Sequence, residues 1–199
     1  MTSRHPEPPE AFDSAQLLIR KFPARTAWFR VHRAIHEPIH FGRSRANRFD
    51  APAGEFGVLY VSGDAHGAFI ETFGHATGTL SVSEAELRAR ELSLVRASRE
   101  LRLVDLRGEG LARMGADSQL TGGTDYGLAQ RWALAIHEHR RRPDGILYRA
   151  RHDPARTSVA LFERVRPMVK ATPRGSLLAA KNVRMLGEIL ETYRFGIVG

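Results

Sequence analysis

Apolar and polar positions change period several times along the chain. Trp28-Phe-Arg-Val-His-Arg33 alternates apolar with basic residues, the period of a half-buried strand. Gly57-Val-Leu-Tyr-Val-Ser62 is a short apolar run and reads as a second strand. Gly63 and Asp64 close it, and Asp64 is placed to cap a helix. Ala65, Ala68, Phe69, Thr72 and Phe73 then recur at helical spacing, which predicts a helix closing near Gly74 or Gly78. Ser83 and Glu86 have the capping-box spacing, which predicts a short helix through about Glu91. Residues 92–96 and 101–106 read as strands. From Thr124 a longer helix is predicted, with Leu128, Trp132, Ala135, Ile136 and His139 on one face. Arg140, Arg141 and Arg142 meet its negative C-terminal end, and Pro143-Asp-Gly145 stops it. Residues 145–149 and 158–163 read as two more strands, joined by an arginine-rich polar loop. A helical stretch covers roughly residues 177–194.

The segments between these elements are also informative. Residues 1–12 are rich in proline and charge and read as a flexible N-terminal arm. Residues 40–55 show no period and hold Gly42, Arg43, Arg45, Arg48, Pro52 and Gly54. A basic loop of that length inside a compact domain is uncommon and often functional. No repeat or low-complexity linker divides the rest, so residues 13–199 read as one domain. Strands and helices mix without regular βαβ alternation, which predicts an α+β fold.

Composition narrows the chemistry. The sequence has 199 residues, 42% of them hydrophobic and 26% charged, which suits a single packed core. It has no cysteine, which excludes disulfides, thiolate metal sites and a cysteine nucleophile. No apolar run approaches the roughly 18 residues of a membrane span, and the first residues lack a signal-like apolar stretch. A cytoplasmic protein is the expectation. The net charge is +8, and three of the 30 basic residues are lysines, at positions 21, 170 and 181. Either biased codon usage or affinity for a polyanion accounts for that balance. Arginine's planar fork suits diphosphates.

Several motifs fail on physical grounds. His36-Glu-Pro-Ile-His40 has the letters of a zinc-hydrolase signature, but Pro38 breaks the helix that would align both histidines. His137 and His139 are two apart and point in different directions on a helix; His139 is expected to pack and His137 to be solvated. Gly108-Glu-Gly110 follows a strand, but Arg113 stands where a dinucleotide fingerprint needs a small residue. A turn opening a helix is the better reading. No P-loop and no G-x-S-x-G elbow is present.

Four residues remain in an order that makes chemical sense: Arg48 in the basic loop, Tyr60 in the next strand, Glu71 on the next helix and Ser158 opening a late strand. They sit among further markers. Phe29-Arg30 lies in an early strand, and Arg48-Phe49 precedes a turn through Gly54. Leu59-Tyr60 is followed by Ala68-Phe-Ile-Glu71. Gln130 and Trp132 follow Tyr126, and Gly145 to Tyr148 precedes Ser158-Val-Ala-Leu-Phe. In this order the chain resembles the RES-domain family, named for an Arg, a Glu and a Ser. The resemblance spans about residues 28–163. It departs at Asn47-Arg48-Phe49-Asp50, where Gly-Arg-Trp-Asn is commoner, and in the segment after Tyr148.

The resemblance implies an ADP-ribosyltransferase-like α+β fold, with mixed or antiparallel sheets flanked by helices. It implies an enzyme that destroys NAD⁺ with water or phosphate as acceptor, acting as the toxin of a bacterial toxin–antitoxin pair. The implied partner is an antitoxin of the Xre/MbcA type, through which alone nucleic acid would be reached. NAD⁺ is then a substrate, and no prosthetic group, metal or membrane is implied. Arg48, Glu71 and Ser158 carry over as catalytic residues, and Arg30, Tyr60 and Arg48 as the residues that bind the dinucleotide. The arginines would hold the diphosphate. Tyr60 would offer a face to nicotinamide. Glu71 would stand by the ribose, and Ser158 would bond the amide or a phosphate oxygen. Two other readings use the same sequence: transfer of ADP-ribose to a macromolecule, or a non-enzymatic basic domain that binds nucleic acid. A homodimer is compatible with all of them.

Overall fold

The alternating segments pair into one sheet. The computed structural model describes residues 6–75 and 78–199. In chain order it shows β1 (Ile19–Phe22), β2 (Trp28–Arg33), β3 (Val58–Ser62) and α1 (Ala65–Phe73). Next come β4 (Ser81–Ser83), α2 (Glu84–Arg88), β5 (Arg90–Ala97) and β6 (Leu101–Asp105). Three helices follow, α3 (Glu109–Met114), α4 (Gln119–Gly122) and α5 (Tyr126–Glu138). The chain then returns as β7 (Gly145–Arg149), β8 (Thr157–Phe162) and β9 (Val169–Ser176), and ends in α6 (Ala180–Tyr193) and β10 (Gly196–Val198). The eight-stranded sheet has the order β1-β6-β7-β8-β3-β2-β5-β9. Within it β6 and β7 are parallel, joined by the α3–α5 crossover, and the other described pairs are antiparallel. The fold is α+β, as expected. Among the described residues no helix is long and apolar enough to cross a membrane.

Period-two burial sorts the side chains. Val58, Ile146, Ala160 and Phe162 face α5 and its Leu128, Trp132, Ala133 and Ile136. Leu59, Val61, Leu147, Val159 and Leu161 face a second core with Trp28 and Val165. A third core joins α1 and α6 through Phe69, Ile70, Leu186 and Ile189. Gly145 starts β7 where backbones nearly touch: a Cβ there would lie 2.3 Å from the Ala160 carbonyl.

Local caps form as the spacing predicts. Asp64 accepts from the Gly67 amide at 2.7 Å, and Ser83 accepts from the Glu86 amide at 3.1 Å. The second helix is shorter than expected. It ends at Arg88 because the chain enters β5 at Arg90, so Glu91 is a strand residue. The long helix starts at Tyr126, capped by Asp125, rather than at Thr124. Residues 34–41 form turns and no helix. Gly108 takes a left-handed φ of +52° ahead of α3, as a turn opening a helix requires.

His139 packs as expected, 1% exposed with its ring against Phe12. The expectation for His137 is corrected. It is half-buried rather than solvated; its ring stacks on Phe56 at 4.0 Å and meets the edge of Phe162 at 5.1 Å. Burial, with Arg164 and Arg142 nearby, pushes its pKa down to about 4. Residues 1–5 of the expected arm lie outside the described residues. Beyond them Trp132 Nε1 donates to the Pro6 carbonyl at 2.9 Å, and Phe12 packs edge-on against Trp132 at 5.2 Å.

Candidate active site

On the sheet face that carries α5, a cavity opens beside the N-terminal end of β8, between α1 and the start of α5. There the register brings four hydroxyl side chains together. Tyr60 pairs with Ala160, while Ser62 and Tyr148 both pair with Ser158. Side chains at paired positions share a face. Tyr60, Ser62, Tyr148 and Ser158 therefore line one side of the cavity, whose volume is about 430 Å³. Ser158 is 1% exposed, and its Oγ lies 3.4 Å from Ser62 Oγ. Burial raises the phenols of Tyr60 and Tyr148 well above their ordinary range, so both stay protonated at neutral pH.

The basic loop supplies the opposite wall. Asn47 and Arg48 line the cavity. Arg48 is 6% exposed, yet its Nη1 and Nη2 have no hydrogen-bond partner among the described residues. Its guanidinium lies over the Tyr126 ring, 4.7 Å from the centroid, a cation–π contact that leaves the N–H edge free. Burial lowers its pKa, and Tyr126 works against that shift. A desolvated guanidinium with free donors is a receptor for an oxyanion.

Glu71 enters from α1, on the same cavity. Its Oε1 accepts from the Arg151 amide at 2.9 Å. Burial raises its pKa above 4.5; the Arg151 amide, His75 and Arg48 act in the other direction. Arg151 and His152 come from the loop between β7 and β8 and also line the cavity. Arg151 Nη1 approaches the Tyr126 hydroxyl at 3.4 Å. Arg30 borders the cavity from β2, and burial lowers its pKa to about 10. One of its N–H groups is given to the His40 carbonyl at 3.3 Å.

All five residues singled out in the sequence (Arg30, Arg48, Tyr60, Glu71 and Ser158) thus border one cavity. Tyr60 differs from expectation in one respect. Its hydroxyl is already engaged, accepting from the Phe49 amide at 2.9 Å and donating to Asp50 Oδ1 at 3.0 Å. Tyr126, Tyr148, Arg151 and His152 were missed as site residues. Tyr126 and Tyr148 stand among the sequence markers only as pattern. Arg151 and His152 carry no signal beyond a basic loop.

Residues 27–181 match the RES domain. The chain belongs to the RES-domain family. The match contains every residue named for the cavity. A protein of Sinorhizobium fredii named probable toxin y4kH is 29% identical over 121 residues, spanning 61% of this RES-domain chain and 93% of the relative. In fold, the chain is similar to one in the crystal structure of the M. tuberculosis MbcT–MbcA toxin–antitoxin complex. The TM-score is 0.62 at 17% identity, covering 84% of this chain and 92% of the other.

Proposed function

We propose that this chain cleaves the nicotinamide–ribose bond of NAD⁺ as the toxin of a bacterial toxin–antitoxin pair. The observation that carries the reading is Arg48, buried with its Nη atoms unpaired, in the cavity that also holds Glu71. The cavity thus pairs an anion receptor with a carboxylate, the two groups that a diphosphate and a developing ribosyl cation call for.

In the proposed reaction the C1′–N bond breaks and its electron pair goes to the nicotinamide nitrogen, which leaves neutral. The ribose becomes oxocarbenium-like, as in glycoside hydrolysis. Arg48 holds the diphosphate with charge-assisted hydrogen bonds, and Arg30 and Arg151 add positive potential. Glu71, when ionised, stabilises the developing cation and orients the acceptor. Tyr60 presents its ring to the nicotinamide while its hydroxyl stays with the loop. Ser158 bonds the carboxamide or a phosphate oxygen. Water or phosphate then adds to C1′ through oxygen, and when water is the acceptor its proton passes to Glu71 or to solvent.

The proposed partner is an antitoxin of the Xre/MbcA type covering the cavity, and the proposed setting is the cytoplasm. The names of the two relatives support the toxin reading. The purified protein is incubated with NAD⁺, with and without inorganic phosphate, and the products are separated by chromatography. The expected result is nicotinamide with ADP-ribose, or with its 1″-phosphate when phosphate is the acceptor. Label transferred to protein or nucleic acid would move the reading to a macromolecular transferase. No nicotinamide in either buffer would overturn NAD⁺ cleavage.

A further inference from the structure

Asp50 lies two residues beyond Arg48, and the chemistry above does not use it. It is 1% exposed. Its Oδ2 accepts from Ser44 Oγ at 3.0 Å, the Asn47 amide at 3.1 Å and Asn47 Nδ2 at 3.1 Å. Its Oδ1 accepts from the Tyr60 hydroxyl at 3.0 Å. All four donors are neutral. Both carboxylate oxygens are thus satisfied by hydrogen bonds within the loop and from β3.

The consequence falls on Arg48. The residue before it is gripped at its amide and side chain by Asp50. The Asn47 carbonyl also accepts from Gln130 Nε2 at 3.1 Å, and the same Nε2 donates to the Arg45 carbonyl at 2.8 Å. The residue after it is gripped at its amide by the Tyr60 hydroxyl, 2.9 Å away, which Asp50 in turn holds. The Phe49 ring is fully buried, edge-on to Tyr148 at 4.9 Å. The backbone is therefore fixed on both sides of Arg48. Buried donors without partners cost free energy, and such an arrangement persists only where its surroundings over-determine it.

We propose that Asp50 is a positioning residue: it gathers the 44–50 loop around its carboxylate so that Arg48 stands unpaired in the cavity before any anion arrives. The proposal rests on the reading of Arg48 as the anion-binding group. Pre-organisation of this kind raises affinity by removing the cost of ordering the donor at binding. Asp50 touches no substrate in this account. It acts through Arg48 and Tyr60.

The test is a double-mutant cycle with ADP as the diphosphate probe, read by calorimetry on the full chain. Wild type, Arg48→Ala, Asp50→Asn and the double variant are compared. The amide in Asp50→Asn keeps the shape of the carboxylate but offers N–H where a donor now points. ADP affinity is expected to fall about tenfold in Asp50→Asn, the size of one hydrogen bond to a charged group. In the Arg48→Ala background the same change is expected to have no further effect, because the group it positions is gone. A structural role alone would lower affinity equally in both backgrounds, and that result overturns the proposal. So does wild-type affinity in Asp50→Asn. Amide hydrogen exchange is a second readout that needs no ligand. Faster exchange confined to residues 44–50 in Asp50→Asn supports the proposal, and unchanged exchange there contradicts it. Failure of the wild type to bind ADP would count against the NAD⁺ reading instead, and hydrogen exchange alone would then decide the role of Asp50.

Discussion

At the scale of single residues, the cavity is built from groups that would be more stable elsewhere. Arg48 is buried with free donors, and Glu71 is a carboxylate whose pKa is raised by burial. Sites that hold such groups are less stable than their neutral versions. Glu71→Gln should therefore raise the melting midpoint at neutral pH, by roughly 2–4 °C if the change is about 1 kcal/mol. The sign follows from linkage. The folded state binds the Glu71 proton more tightly than the unfolded chain, whose value is near 4.5. The cost of the buried charge is complete above the raised value and absent below the unfolded one. The advantage of the Gln variant should shrink as pH falls through that window, which melting curves at a series of pH values will show. Arg48, Glu71 and Ser158 stand out in the sequence through the order of markers that resembles the RES-domain family; taken singly, each reads as an ordinary loop, helix or strand residue. Arg151 and His152 do not, since a basic loop gives no sign of which side chains turn inward. The burial of His137 was not legible because its neighbour Phe56 lies far away in sequence, and only packing brings the two rings together.

At the scale of elements, periodicity located the strands that place the site. β2, β3, β7 and β8 all appear where alternation or an apolar run predicts them, to within a residue at the ends. β1, β4, β9 and β10 were missed in the sequence, and the last three have physical reasons. β9 contains Lys170, Pro173, Arg174 and Gly175 and lies at the edge of the sheet, where proline and charge are tolerated. β4 and β10 are three residues each and pair with one another outside the large sheet. The helix that carries Glu71 was readable from its cap. Asp64 closes the first turn of α1 and also pairs with Arg156 at 2.8 Å, a half-exposed contact of small value. Asp64→Ala should cost about 1 kcal/mol of stability. Urea unfolding measures this directly as a lower midpoint at unchanged slope.

At the scale of the whole molecule, the mixture of strands and helices without regular alternation was enough to give the α+β class. The strand order was not readable. β3 lies between β2 and β8, and Tyr148 reaches the cavity only because β7 pairs with β8. No local pattern encodes those neighbours. Arg48, Glu71 and Ser158 are far apart in the chain, and the resemblance to the RES-domain family related them before any geometry did. The sheet then explains why they converge: the loop before β3, the helix after β3 and the start of β8 all open on the same cavity. Arg30, Arg48 and Arg151 against Glu71 give the cavity lining a positive balance, which suits the proposed anionic dinucleotide. The most direct measurement is nicotinamide release from NAD⁺ by equal amounts of wild type, Arg48→Ala and Glu71→Gln, with circular dichroism as the check on folding. The account predicts release by the wild type and a loss of about 100-fold or more in each variant, the scale of removing one group that stabilises transition-state charge. Release by both folded variants at the wild-type rate, or none by the wild type, would contradict it.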